Sequence, residues 1–166
     1  MIVEFAVRAG QGEPSGFDRG DMVWSGGRGE ASSVGHVPDQ GMMIYLAVPE
    51  LLDSLSGLVA RRSRNASFTA VDSSFGLDFR VTKAGVGITS RSGSGPGLVA
   101  RVSRIELGDA VLAAAEELER RSLAGVGSGD GVVSAYRAAL DRFRLIVWAD
   151  RLGLDQLGGV RGGMPR

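Results

Sequence analysis

Between Phe68 and Arg91 the chain reads FTAVDSSFGLDFRVTKAGVGITSR, and its apolar side chains fall on alternate positions. Phe75, Leu77, Phe79 and Val81 alternate with Gly76, Asp78, Arg80 and Thr82, so an extended backbone sends four apolar groups to one face. Lys83, Ala84 and Gly85 interrupt the pattern before Val86, Ile88 and Ser90 resume it. That spacing predicts a hairpin. The same period of two runs through Ile2 to Arg8, with Val3, Phe5 and Val7 opposed to Glu4. It predicts further strands over Phe68 to Val71 and Leu98 to Val102, and a short edge strand at Met22 to Trp24. Met42 to Ala47, MMIYLA, is continuously apolar between Gly41 and Pro49, which suits a buried central strand.

After Pro49 the period changes to that of a helix. Leu51, Leu52, Leu55, Leu58 and Val59 share a face, with Pro49 at the first helical position and Glu50 and Asp53 at its positive end, and Arg61, Arg62 and Arg64 close it. A second helix runs from Ile105 to Arg121 and turns Leu107, Val111, Leu112, Ala115 and Leu118 inward. A third runs from Gly131 to Leu152, with Asp130 as its N-cap and Val133, Tyr136, Leu140, Phe143 and Val147 at helical spacing. The expected fold is one α+β domain over residues 1–152, a mainly antiparallel sheet of about five to seven strands with three packed helices. Residues 153–166 lose periodicity and read as a flexible C-terminal tail, and Ser92 to Gly97, SGSGPG, as a flexible turn.

Composition narrows the function classes. With 166 residues, 43% of them apolar, there is enough for one core, and with no cysteine there are no disulfides or thiolate metal sites. No apolar run approaches the roughly 20 residues of a membrane span, and the N-terminus lacks the basic start of a signal peptide, so a cytoplasmic protein is expected. The 19 basic and 19 acidic residues cancel, which argues against a protein built to grip phosphate backbones. They are not evenly spread. Residues 1–60 carry 8 acids and 3 bases, residues 61–104 carry 2 acids and 8 bases, and the remainder 9 and 8.

The candidate chemistry is sparse. Ser73 or Ser74 with His36 and Asp72 could be written as a nucleophile, base and orienter, but there is no GxSxG elbow, and Asp72 and Ser73 are adjacent in sequence. One imidazole and scattered carboxylates make no metal spacing, and no cofactor is implied. Gly125 to Gly131, GVGSGDG, follows a helix and lacks the Lys-Ser/Thr pair of a phosphate loop, so it reads as a connector. Gly26, Gly27, Arg28 and Gly29 read as a turn. The arginine-dense middle lacks exposed aromatic partners, which disfavours nucleic acid.

Three runs, PDQGMMIYL (Pro38 to Leu46), VDSSFGLDFR (Val71 to Arg80) and AVLAAAEEL (Ala110 to Leu118), resemble small uncharacterised proteins of GC-rich actinomycete-type genomes. In size and layout the chain is similar to the immunity proteins that accompany bacterial toxins, small cytosolic α+β domains that block one partner. The resemblance implies a protein partner and no catalysis; it carries over no site residue. The expected function is therefore a non-enzymatic protein-binding domain, an immunity or antitoxin-like inhibitor, with Asp18, Asp21, His36, Asp39 and Gln40 as its contact residues. The contrasting reading is a small-molecule-binding protein or enzyme with a pocket between sheet and helices. A third is assembly into a symmetric homo-oligomer through a sheet edge or the third helix.

Overall fold

The structure, a computed structural model, describes residues 1–91 and 97–154. Its strands form two antiparallel sheets of four, where the pattern alone suggested one. In the first, β1 (Ile2–Val7) pairs β2 (Arg19–Gly26), whose other edge is shared by β3 (Gly29–Ser32) and the two-residue β4 (Met42–Met43). The short edge strand expected at Met22 to Trp24 is thus the eight-residue centre of a sheet, with Met22 and Trp24 on its buried face. The second sheet is a meander of β5 (Asn65–Thr69), β6 (Gly76–Thr82), β7 (Gly85–Ser90) and β8 (Gly97–Val102). Its central hairpin, β6 and β7, lies where the alternation predicts it, with Phe79 opposite Ile88 and Val81 opposite Val86.

The inner faces meet through Trp24. Its ring lies edge-on to Phe79 with centroids 5.6 Å apart and tilts against Phe5 at 6.5 Å, contacts worth about 0.5–1.5 kcal/mol each beyond the buried area. The indole Nε1 is buried without a partner, so part of that gain is offset by an unsatisfied donor. At the β2–β3 turn, Arg28 N–H donates to the Val99 carbonyl of β8 at 3.1 Å and stitches the sheets together.

Three helices complete the core: α1 (Ile44–Val59), α2 (Arg104–Arg121) and α3 (Gly131–Arg151). The MMIYLA run is mostly helix, not strand; only Met42 and Met43 pair with β2, and α1 begins at Ile44. Burial explains the difference. Ile44, Tyr45, Ala47, Val48, Leu51 and Leu52 are all covered, and a helix wrapped in apolar neighbours shows no amphipathic period to separate it from a buried strand. Pro49 consequently sits inside the helix, Glu50 and Asp53 lie outside its first turn, and Arg61, Arg62 and Arg64 lie beyond its end.

The helices α2 and α3 run close to their expected bounds. Ser103 Oγ accepts from Glu106 N–H at 3.0 Å to cap α2, and Asp130 Oδ1 accepts from Val132 N–H at 2.8 Å to cap α3. Tyr136 of α3 stacks edge-on with Tyr45 of α1 and donates its hydroxyl to the Ala115 carbonyl of α2 at 2.7 Å, so one side chain ties all three helices. Burial holds its hydroxyl well above the usual phenol range, and it stays a donor at every ordinary pH. The expected turn at 92–97 and tail at 153–166 fall largely outside the described residues.

Candidate interaction site

Strand parity puts Ile2, Glu4, Ala6 and Arg8 on the open face of the first sheet, beside Asp21 and Arg19 of β2. Arg8 closes a fork on Asp21, Nε to Oδ2 at 2.7 Å and Nη2 to Oδ1 at 2.8 Å, and donates twice more to Asp39 at 2.9 Å. Gly41 leaves room for this, because a Cβ there would collide with the guanidinium. Arg19 adds ion pairs to Asp39 at 3.5 Å and Asp72 at 3.4 Å. Ser33 Oγ donates to Asp21 at 2.7 Å and accepts Met22 N–H at 3.1 Å.

The charges in this cluster are committed. The Arg8 bonds hold the Asp21 carboxyl below its ordinary range and Asp39 well below it, while Asp21 and Asp39 together raise Arg8. Asp72 accepts Met43 N–H at 3.1 and 3.3 Å at the positive end of α1, which has no side-chain cap of its own. Asp21 and Asp39, held low by Arg8, are poor proton acceptors at neutral pH. What the cluster does is mechanical: it fastens both feet of the loop from Ser33 to Gly41 to the sheet.

The loop in turn fastens its neighbour. Ser73 Oγ donates to the Gln40 carbonyl at 2.7 Å, and Gln40 Nε2 reaches Ser74 Oγ at 3.4 Å. Two braced loops therefore present Val37, 99% exposed beside a cis Val37–Pro38 peptide, and Val71, 79% exposed next to Asp72, with Val34 also in solvent. Exposed apolar tips on a rigid base are suited to contact another surface.

Among the expected contact residues, Asp21, Asp39 and Gln40 come together here. Asp18 does not join them; it accepts Ser15 N–H at 3.1 Å in the turn before β2, and its carbonyl accepts Ile44 N–H. His36 is half-buried on the loop and bonds neither Ser73 nor Asp72, whose hydrogen bonds go elsewhere, so the paper triad does not assemble. Arg8, Arg19 and Ser33 were not foreseen. Their partners lie 11 to 53 residues away, and only the position of Arg8 at the polar end of an alternating strand hinted at them.

The chain matches no known family model, no curated protein and no solved structure. Among the described residues no group of three His, Cys, Asp or Glu side chains could hold a metal ion, and no helix is long and apolar enough to cross a membrane.

Two further surface features bear on function. Leu145, Trp148 and Leu152 form an exposed apolar stripe along α3, Trp148 being 57% exposed. Between β1 and α2 lies an open groove of about 470 Å³, walled by Ile2 to Ala6 and by Ala110, Ala113, Ala114, Glu117 and Arg121. Glu117 is bound to Arg120 and Arg121, which keeps its carboxyl below the ordinary range.

Proposed function

We propose that this chain is a non-enzymatic protein-binding domain, and specifically an immunity or antitoxin-like inhibitor acting on a bacterial toxin from within the cytoplasm. The observation that carries the reading is the pair of braced loops with Val37 and Val71 in solvent. Holding a fully exposed valine on a base of five charged side chains lowers the ordering cost of a contact, which is the advantage of a preorganised interface. Asp39, half-exposed at the loop foot, supplies a polar rim beside the apolar tip.

The test is capture of a stoichiometric partner from the source cells by the tagged chain, beside Val37→Asp and Trp148→Ala variants. Loss of the partner from Val37→Asp alone, and a captured protein with toxic activity that the wild type blocks, are the expected results. Retention by Val37→Asp with loss from Trp148→Ala would move the interface to α3 and overturn the loop assignment. The second reading, a ligand site between sheet and helix, is supported by the groove between β1 and α2. A small molecule that co-purifies with wild type and is lost from Ala113→Trp would favour it.

A further inference from the structure

The second sheet covers only one of its faces. Leu77, Phe79, Val86, Ile88, Ala100 and Val102 point into the core, so the opposite parity, Asn65, Ser67, Asp78, Arg80, Gly87, Thr89 and Arg101, forms its outer face. In register, Arg80 of β6 lies opposite Gly87 of β7, and Gly87 lies opposite Arg101 of β8. Two arginines therefore flank a residue with no side chain, two strand spacings or roughly 10 Å apart at Cα.

These bases are uncommitted. Several arginines elsewhere are taken by carboxylates: Arg8 and Arg19 in the loop brace, Arg137 and Arg144 between α3 and α2, Arg142 with Asp53, Arg151 with Asp109. Among the described residues, Arg80 and Arg101, with Lys83 in the β6–β7 turn, form no ion pair, nor does Arg28, which lines with Arg101 a depression of about 330 Å³ whose Glu106 is held by the Met1 amino group. The carboxylate on this face, Asp78, is bound by Arg91 at 3.2 Å and by Ser67. Three bases of the positive segment 61–104, Arg80, Lys83 and Arg101, thus lie on or beside this sheet.

We propose that this outer face, centred on Arg80 and Arg101, docks an acidic protein segment. Guanidinium groups donate to carboxylates in a planar fork, and Arg80 and Arg101 are both exposed on this face, on either side of the buried Gly87. The face carries no exposed aromatic ring, since Phe79 is buried beneath it, and stacking platforms are what single-stranded nucleic acid requires. An acidic polypeptide fits these groups better than a base-bearing strand. This surface is separate from the braced loops, so it can fail without them.

The experiment titrates the isotope-labelled full chain with a 20-residue capped polyglutamate peptide at 20 mM and 200 mM salt, following backbone amide shifts. Saturable shifts centred on Arg80, Gly87, Thr89 and Arg101, weakened at the higher salt, are expected. Arg80→Gln with Arg101→Gln should lower the affinity by about tenfold, as for two exposed ion pairs, while the amide spectrum keeps its dispersion. Shifts centred instead on Arg61 to Arg64 overturn the proposal. So does an equal response to a polyglutamine peptide, or tighter binding of a 20-nucleotide polyuridylate at the same residues, which would assign the face to nucleic acid.

Discussion

Arg8, one residue past β1, reaches diagonally across to Asp21 of β2, which stands opposite Ala6, and the two share a two-point fork at 2.7 and 2.8 Å. The Asp21 side chain is only 14% exposed, so removing its partner strands a largely desolvated carboxylate. Arg8→Ala should cost about 2–3 kcal/mol, read from urea unfolding. Arg8→Lys should recover less than half, because an ammonium cannot fill a planar fork and still reach Asp39. Amide exchange in residues 33–41 should rise in both variants.

Acid should loosen the same brace. Asp21 and Asp39 both titrate below their ordinary range in the folded chain, chiefly through the Arg8 bonds. Their contribution is therefore complete above the unfolded carboxylate value near 3.9 and is lost as pH falls below it toward the folded values. Unfolding midpoints should hold between about pH 5 and 7 and drop below about pH 4. In Asp21→Asn the acid-induced drop should be smaller. An unchanged drop would mean that other carboxylates carry it.

At the end of α1, two effects oppose each other in Arg61. Its backbone is left-handed, φ 59°, which costs a non-glycine residue about 1 kcal/mol. Its Nε, however, donates to Asp150 Oδ1 at 2.8 Å, and that carboxylate is 2% exposed with Oδ2 unpartnered. Stranding a buried charge costs more, about 3 kcal/mol. Arg61→Gly should therefore destabilise the fold by about 2 kcal/mol despite relieving the backbone. Adding Asp150→Leu should restore most of that loss, since a buried ion pair is commonly replaceable by apolar packing.

The β2–β3 turn offers a matched pair of glycines. A Cβ at Gly26 would stand 2.5 Å from both Ala100 Cβ and the Val99 carbonyl, whereas at Gly27 it would meet nothing within 4 Å. Gly26→Ala must push the two sheets apart and should cost about 2 kcal/mol or more; Gly27→Ala should stay within about 0.5 kcal/mol. Thermal unfolding of the two variants separates these outcomes. Equal stability would mean that the sheet junction at Arg28 and Val99 is soft.

How far the sequence disclosed this fold depended on what each pattern could encode. Alternation in Phe75 to Ser90 placed the hairpin correctly, because Leu77, Phe79, Val86 and Ile88 are buried on one face. At α1 the signal failed for the opposite reason: every side is apolar around Ile44 to Val48, and length alone separated helix from strand. The Ser103 cap is legible in the sequence as Ser-x-x-Glu ahead of α2. Of the loop site, Asp21, Asp39 and Gln40 were named for their charge and position, but the arginines that bind them were not. Pairing across strands is a tertiary fact, and Arg8 meets Asp21 only once β1 and β2 are in register.

The loop between β3 and β4 leaves and rejoins the same edge of β2, at Val23 to Gly26 and at Arg19 to Gly20. Its anchorage depends on Ser33, Asp39 and Gly41, none of which lies at the tip. Substitutions or insertions among Val34 to Pro38 would thus change what the molecule displays without disturbing the register beneath. Such an arrangement uncouples the face that the loop tip shows to solvent from the frame that carries it.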